Sequence, residues 1–274
     1  MLIDYSEKKN VKFISLASGS SGNCYFFSNG VVSFVIDFGI GLRTARKRLA
    51  EYNMKLEDID FVLVTHDHID HIKHLGTFAE KFSKPVYATE SLHNALSNHF
   101  ATRGKLTSSR VYIESEKEFC FNDVSITPFQ VPHDGTDNYG YFINMSGVKI
   151  VVATDVGRVN SSLIKYASIS NHLIFESNYD RTMLEEGPYP KSLIDRISNG
   201  KGHLSNDETA NAIKEFYHRE IKSLLLCHLS ANNNTPARAI ETAGMALLEV
   251  GAIPGVDLLL ECLPRGSASK LYQF

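Results

Sequence analysis

Short apolar runs alternate along this chain with longer amphipathic stretches. The runs at 12–16, 24–28, 31–37, 61–65, 85–88, 124–131, 139–145, 148–154, 172–176, 223–227 and 256–261 read as strands. The stretches at 42–52, 70–82, 91–97, 161–167, 190–197, 205–217 and 236–250 have helical spacing. Two of these carry start signals: Ser205 precedes Glu208 by three residues, a capping-box pattern, and Pro236 can take a first helical position. Asp134-Gly135 and Ser146-Gly147 mark turns between strands. The interleaving predicts an α/β protein whose sheets are covered by helices.

At 274 residues, 43% of them hydrophobic and 22% charged, the chain suits one large domain spanning 1–274. Neither disorder nor a repeat architecture is suggested by the same numbers. No run approaches the roughly 18 apolar residues of a membrane span. The start, Met1-Leu2-Ile3-Asp4-Tyr5-Ser6-Glu7-Lys8-Lys9-Asn10, lacks the basic-then-apolar order of a signal peptide, so a soluble cytoplasmic protein without a membrane partner is expected. Cys24, Cys120, Cys227 and Cys262 are scattered without a Cys-x-x-Cys pair, which predicts reduced thiols rather than disulfides or a thiolate metal site. Cys227 is expected in the core, because adjacent side chains on a strand face opposite ways.

Behind the run Phe61-Val62-Leu63-Val64 comes Thr65-His66-Asp67-His68-Ile69-Asp70-His71, which packs four potential metal ligands, His66, His68, Asp70 and His71, into six residues. A solvated polar loop would account for any one of them, but not for the whole pattern behind a buried-looking strand. Imidazole and carboxylate together suit zinc, manganese or iron. Alternation along an extended chain puts His66 and His68 on one side, while Asp70 and His71 leave in another direction. One short segment can thus serve two neighbouring ions. The helical His-Glu-x-x-His signature is absent, which disfavours a zincin-type protease.

Two ions need further ligands, and His133, Asp155 and His228 each stand at the tip of a β-type run. Each alone could be a turn residue; jointly they supply what the first cluster lacks. There is also an internal echo. Val35-Ile36-Asp37-Phe38-Gly39 and Val152-Ala153-Thr154-Asp155-Val156-Gly157 are apolar runs ending in Asp-x-Gly, and 61–66 matches 223–228 as an apolar run ending in His. The order strand-Asp, strand-His occurs twice, which predicts two similar halves whose strand ends converge on one cleft.

His-x-His-x-Asp-His, a lone His, a lone Asp and a late His resemble the metallo-β-lactamase-fold hydrolases over most of the chain. Ser15-Leu16-Ala17-Ser18-Gly19-Ser20-Ser21-Gly22-Asn23, Gly202-His203-Leu204-Ser205-Asn206 and His228-Leu229-Ser230-Ala231-Asn232-Asn233-Asn234 resemble the YycJ/VicX (WalJ) branch, itself similar to phosphodiesterases and nucleases around ribonuclease Z and ribonuclease J. The resemblance implies a four-layer αββα sandwich. It also implies that His66, His68 and His133 hold one ion, that Asp70, His71 and His228 hold the other, that Asp155 bridges them, and that Asp37 orients ligands from behind.

Two divalent ions can share a hydroxide, lower its pKa and clamp substrate oxygens while it attacks, which makes the chain a hydrolase. In the ribonuclease Z-like relatives a Glu and a His placed like Glu176 and His203 are paired, and the His protonates the leaving oxygen. Without the resemblance, His203 reads as a helix-flanking surface residue. The residues put forward for the reaction are Asp70, His203 and Glu176. The resemblance implies a dinuclear phosphodiesterase, an exonuclease on DNA. The alternatives are thioester, lactone or β-lactam hydrolysis on the same metal core, or a regulatory metalloprotein linked to two-component signalling.

Ser20, Ser21 and Asn23 in the Gly-rich turn, with Ser230 and Asn233, are candidate substrate contacts; a tight turn joining two strands accounts equally well for the first three. It is no nucleophile elbow, since Asn23 stands where the final glycine belongs. The formal net charge of −3 argues against a generally basic nucleic-acid binder, so phosphate contacts must use local patches such as Arg43, Arg46, Lys47 and Arg48. Such a run is usually a solvated face. Tyr139, Tyr141 and Tyr179 could stack on bases, but a core role is the stronger reading. His74, His93, His99, His172 and His218 are expected to be structural; Asp67, at the variable position inside the cluster, could support the bound water, and Asp134 beside His133 is left equally open.

Overall fold

The computed structural model describes residues 11–274; the opening segment 1–10, read above for a leader, lies outside them. Strands β1 (Lys12–Ala17), β2 (Cys24–Ser28), β3 (Ser33–Ile36), β4 (Phe61–Leu63), β5 (Val86–Ala88) and β6 (Arg110–Tyr112) lie side by side in one sheet, with β14 (Tyr272–Gln273) outside β1. A second sheet runs in chain order through β7 (Phe119–Phe121), β8 (Val124–Gln130), β9 (Tyr139–Met145), β10 (Val148–Ala153), β11 (His172–Glu176), β12 (Ser223–Cys227) and β13 (Leu259–Cys262). Helices α1 (Leu42–Ala50), α2 (Ile69–Ile72), α3 (Leu75–Phe82) and α4 (Glu90–Asn98) belong with the first sheet. Helices α5 (Ser161–Ala167), α8 (Asn206–Phe216) and α9 (Pro236–Glu249) cover the second, and α6 (Arg181–Glu186) and α7 (Lys191–Ser198) lie between β11 and α8.

Strand alternation builds the layers. Phe34 and Ile36 point between the sheets, where they join Phe61, Ile126, Ile150, Val152 and Leu225, while Val35 points outward to the helices with Val62, Phe78 and Leu49. In the second sheet Val151 and Ala153 face α5 and α8, opposite to Ile150 and Val152. Each such side chain contributes roughly 1.5–3 kcal/mol when fully buried. The result is the αββα sandwich. Cys227 lies in the inter-sheet core, and all four cysteines are free. Among the described residues no helix is long and apolar enough to cross a membrane.

Strand direction places the functional loops. Strands β3 and β4 are parallel, and β1 runs the same way because two antiparallel pairings separate it from β3. Likewise β10, β11 and β12 are parallel, and β8 matches them across antiparallel β9. The carboxyl ends of seven strands therefore lead into the segments that hold Ser18, Asp37, His66, His133, Asp155, Glu176 and His228.

Three expectations are corrected. The helix expected over 70–82 is broken at His74, whose φ of −117° and ψ of 4° leave the helix. Its N–H donates to the Phe38 carbonyl, and the Asp70 carbonyl that it would have used accepts from Asn23 N–H. The strand expected over 256–261 starts later, because the Ile253 carbonyl accepts from Val256 and Asp257 and closes a turn there. Strands β6, β7 and β14 and helix α6 were not expected. They are too short to show a period, and neighbouring strands define the three edge pieces.

The loop after β3 is locked against α2 by the Gly39–Asn23, Asn23–Asp70 and Phe38–His71 backbone bonds, each 2.8 Å. A methyl group on Gly39 would sit 1.6 Å from the Asp70 carbonyl oxygen and 2.8 Å from Asn23 N. Gly39→Ala is therefore expected to lower the free energy of unfolding by about 3 kcal/mol, as overpacking does at its upper range. Urea denaturation followed by circular dichroism measures this, and an unchanged midpoint would contradict the close approach.

Candidate metal centre

His66 and His68 come from the extended segment after β4, and Asp70 and His71 from the single turn of α2. His133 follows β8, Asp155 follows β10, and His228 follows β12 directly. The ligand-type atoms of His66, His68 and His133 lie within 4.8 Å of one another, and so do those of Asp70, His71 and His228. Asp155 stands between the two groups: one carboxylate oxygen is 3.2 Å from His71 Nε2, the other 3.4 Å from His228 Nδ1 and 3.8 Å from His133 Nε2. All seven residues that the sequence singled out as ligands thus come together.

The imidazoles are oriented from behind. His71 Nδ1 donates to Asp37 Oδ2 at 2.6 Å, and His133 Nδ1 donates to the Gly202 carbonyl at 2.7 Å. His228 Nδ1 is 3.1 Å from Glu176 Oε1. Thr65 gives its hydroxyl proton to Asp37 Oδ2 at 2.7 Å, so its oxygen accepts from His66 Nδ1 at 3.0 Å. These bonds turn Nε2 of all four rings toward the common space. His68 is the exception, with Nδ1 3.3 Å from His133 Nε2 and Nε2 3.3 Å from Asp134 Oδ1. Asp134, left open by the sequence, therefore stands beside His68.

Two strand-end residues take left-handed backbone: Asp37 with φ 61° and His228 with φ 53°. Such strain persists where neighbours fix it. The Asp37 carboxylate accepts from Thr65 N–H and hydroxyl, and His228 N–H donates to Ser18 Oγ at 2.9 Å. Thr65, Ser18 and the Gly202 carbonyl were not recognised as parts of the site. Only the position of Thr65 directly before the His cluster was a signal, and a hydroxyl next to a histidine is too common to count.

Buried charge shapes the electrostatics. Burial alone would keep His71 neutral, but Asp155, Asp37 and Asp70 outweigh it and raise its pKa well above the usual value. His228 is likewise pushed up to about 10, burial being overcome by Asp155, Asp70 and Glu176. Burial acts to raise Asp155, yet His228 and His71 hold it well below the ordinary carboxylate range. The cluster is an anionic cage that attracts positive charge, proton or cation. His66 Nε2, His228 Nε2 and Asp155 Oδ2 are buried without a hydrogen-bond partner. Such atoms rarely go unsatisfied, and an imidazole and carboxylate donor set fits divalent cations.

Beside the cage, His203 Nδ1 is 2.8 Å from Glu176 Oε1, and Glu176 Oε2 accepts from Val156 and Leu204 N–H at 3.0 Å. Glu176 is fully buried, whereas the His203 side chain is 21% exposed and faces a cavity. Ser20 and Ser230 also line that cavity. Ser21 is exposed beside Ser20.

Asn23 and Asn233 do not fit the expected substrate contacts, because both are buried. The Asn23 amide closes its own turn on Gly19 N and O and reaches Asp70 Oδ2 at 3.1 Å. Asn233 packs against Gly187. In the basic run, Arg46 pairs with Glu57 and Arg48 holds the Leu16 and Gly266 carbonyls, so Arg43 and Lys47 are left on a surface groove. Tyr139, Tyr141 and Tyr179 are buried, in keeping with the core reading. Both Asp67 carboxylate oxygens accept from Thr136, which ties two loops of the site together.

A family model described as a beta-lactamase superfamily domain matches residues 33–229. Exodeoxyribonuclease YycJ of Bacillus anthracis is 32% identical over 240 residues, covering 87% of this chain and 90% of that protein. Exodeoxyribonuclease WalJ of Streptococcus pneumoniae serotype 2 is 34% identical over 247 residues, covering 90% and 91%. Among solved structures, the metallo-beta-lactamase fold protein YhfI from Bacillus subtilis superposes with a TM-score of 0.69 at 18% identity, over 97% of this chain and all of that one, a likeness of fold. With the model spanning most of the chain and both relatives matched nearly end to end, this chain belongs to the beta-lactamase superfamily, alongside YycJ and WalJ.

Proposed function

We propose that this protein is a dinuclear metal-dependent phosphodiesterase that removes nucleotides from the ends of DNA. The observation that carries the reading is the pair of ligand triads on either side of Asp155, with the Glu176–His203 pair next to them. The names of the two relatives, both exodeoxyribonucleases, support DNA as the polymer and its ends as the place of attack. His66, His68 and His133 would hold one cation and Asp70, His71 and His228 the other, with Asp155 between them. Zinc or manganese, with iron also compatible, would supply Lewis-acid charge for the phosphoryl oxygens and an activated water.

The chain's own residues do the rest. Asp37, Thr65, Glu176 and the Gly202 carbonyl keep the imidazoles in place. Glu176 stays ionised, since His203 and His228 outweigh the effect of its burial. Its Oε1 holds His203 Nδ1 at 2.8 Å and so fixes the orientation of the ring. His203 donates its Nε2 proton to the leaving alkoxide oxygen and keeps Nδ1–H on Glu176. An alkoxide is a poor leaving group, so this proton matters.

End-labelled single- and double-stranded DNA and RNA, each with zinc or manganese, test the reading directly. Stepwise shortening of DNA from an end is expected, and DNA left intact under both metals would overturn it. His203→Ala should lower kcat on a phosphodiester by about 10²–10⁴-fold with bound metal unchanged by elemental analysis. Normal turnover would remove the acid role, and loss of metal would make His203 a ligand instead. Thr65→Val should weaken metal affinity by about 10–100-fold, as loss of a group behind the ligands does. Competition with a chelating dye measures it, and wild-type affinity in that variant would show that Thr65 does not hold His66 and Asp37.

A further inference from the structure

Next to His203 a cavity of about 190 Å³ opens to the surface, and one wall comes from the segment between β11 and α8. The helix in that wall, α7, buries none of its side chains, although it carries Leu193, Ile194 and Ile197. Leu193 and Ile197 are four residues apart, share a face of the helix and line the cavity. Tyr189 lies beside them, between Pro188 and Pro190, and its hydroxyl accepts from Asn232 Nδ2 at 3.0 Å. The prolines limit the backbone on both sides, and the hydrogen bond holds the far end of the ring. A fixed aromatic face and two aliphatic side chains therefore stand half-covered beside the residue that faces the reaction.

Arg196 gives this apolar wall a charged rim. Its Nε donates to Asp134 Oδ2 at 2.7 Å, while the side chain stays 60% exposed. Asp134 in turn lies beside His68 and His133. The guanidinium is thus held close to the candidate metal centre, with its two terminal nitrogens available to a phosphate. Ser20 and Ser230 add polar groups across the cavity.

We propose that this cavity is the subsite for the terminal nucleoside of the nucleic-acid strand, with the base against Tyr189, Leu193 and Ile197 and its phosphate at Arg196. The inference rests on the phosphodiesterase reading and adds where the strand end sits. The volume falls below the roughly 300–1,000 Å³ of drug-sized sites, so the cavity takes one ring system and not a run of stacked bases. Apolar and aromatic contacts to a base face do not distinguish one base from another, so the subsite selects an end without selecting a sequence.

The test uses the full-length, metal-loaded protein and titration calorimetry with two probes, thymidine 5′-monophosphate and inorganic phosphate. The wild type is expected to bind the nucleotide at least about tenfold more tightly than phosphate, the scale of one base contact. Tyr189→Ala should weaken the nucleotide by about tenfold and leave phosphate unchanged, and Leu193→Ala should act in the same direction. Tyr189→Phe keeps the ring but gives up the bond to Asn232, and should weaken the nucleotide clearly less than Tyr189→Ala does. The proposal is overturned if the wild type does not prefer the nucleotide, if Tyr189→Ala binds it normally, or if both probes weaken together. It is also overturned if Tyr189→Phe loses as much as Tyr189→Ala. Loss of all phosphodiester cleavage with this binding pattern intact would instead count against the phosphodiesterase reading alone.

Discussion

Negative charge buried at the carboxyl ends of the strands is the constraint on which the rest of the structure depends. Asp37 and Glu176 are fully shielded from solvent and Asp155 is 4% exposed. A buried carboxylate without a partner costs several kcal/mol, so each of these must be met by donors or by cationic groups. The donors come from both sheets. Asp37, after β3, binds Thr65 and His71, while Glu176, at the end of β11, binds His203, His228 and the N–H groups of Val156 and Leu204. Asp155 reaches His71 from one sheet and His228 from the other, so the two halves of the sandwich are held in one relative position where the chemistry lies.

The same bonds serve folding and function. The Phe38-Gly39 loop that interrupts the helix expected over 70–82 also donates to the His71 and Asn23 carbonyls, while the Asn23 N–H donates to the Asp70 carbonyl. Asn23 then closes its turn and touches both Asp70 and His71. On the other side Ser18 accepts from His228 N–H and lies 2.9 Å from the Tyr25 hydroxyl in the inter-sheet core. Asn23 and Ser18 are each a single hydrogen bond away from the cage, and Gly39 and Tyr25 act on it through them.

Outside the cage, the 28 Lys and Arg residues are slightly outnumbered by 31 Asp and Glu, and several of the cations near the site are already engaged. Arg46 and Arg48 are engaged by Glu57 and by backbone carbonyls, and Arg196 is placed at the cavity by Asp134. An acidic protein can still meet a polyanion when its cations stand beside the reacting groups and its low-dielectric cleft concentrates their field.

The sequence by itself determined most of the longer elements and the donor set. Strand runs such as 24–28, 139–145, 172–176 and 223–227 match the observed bounds, because period and burial are local properties of the chain. The ligand-type residues were legible for a similar reason: imidazoles and carboxylates crowd strand ends only under chemical demand. What the tertiary structure alone decided is how these groups are oriented and which of them are accessible. The break at His74, the two-sided use of Glu176, the burial of Asn23 and Asn233 and the placing of Arg196 all depend on partners distant in the chain. A hydrogen bond between residues 52 or 62 positions apart leaves no local period to read, so only the packed sheets could specify it.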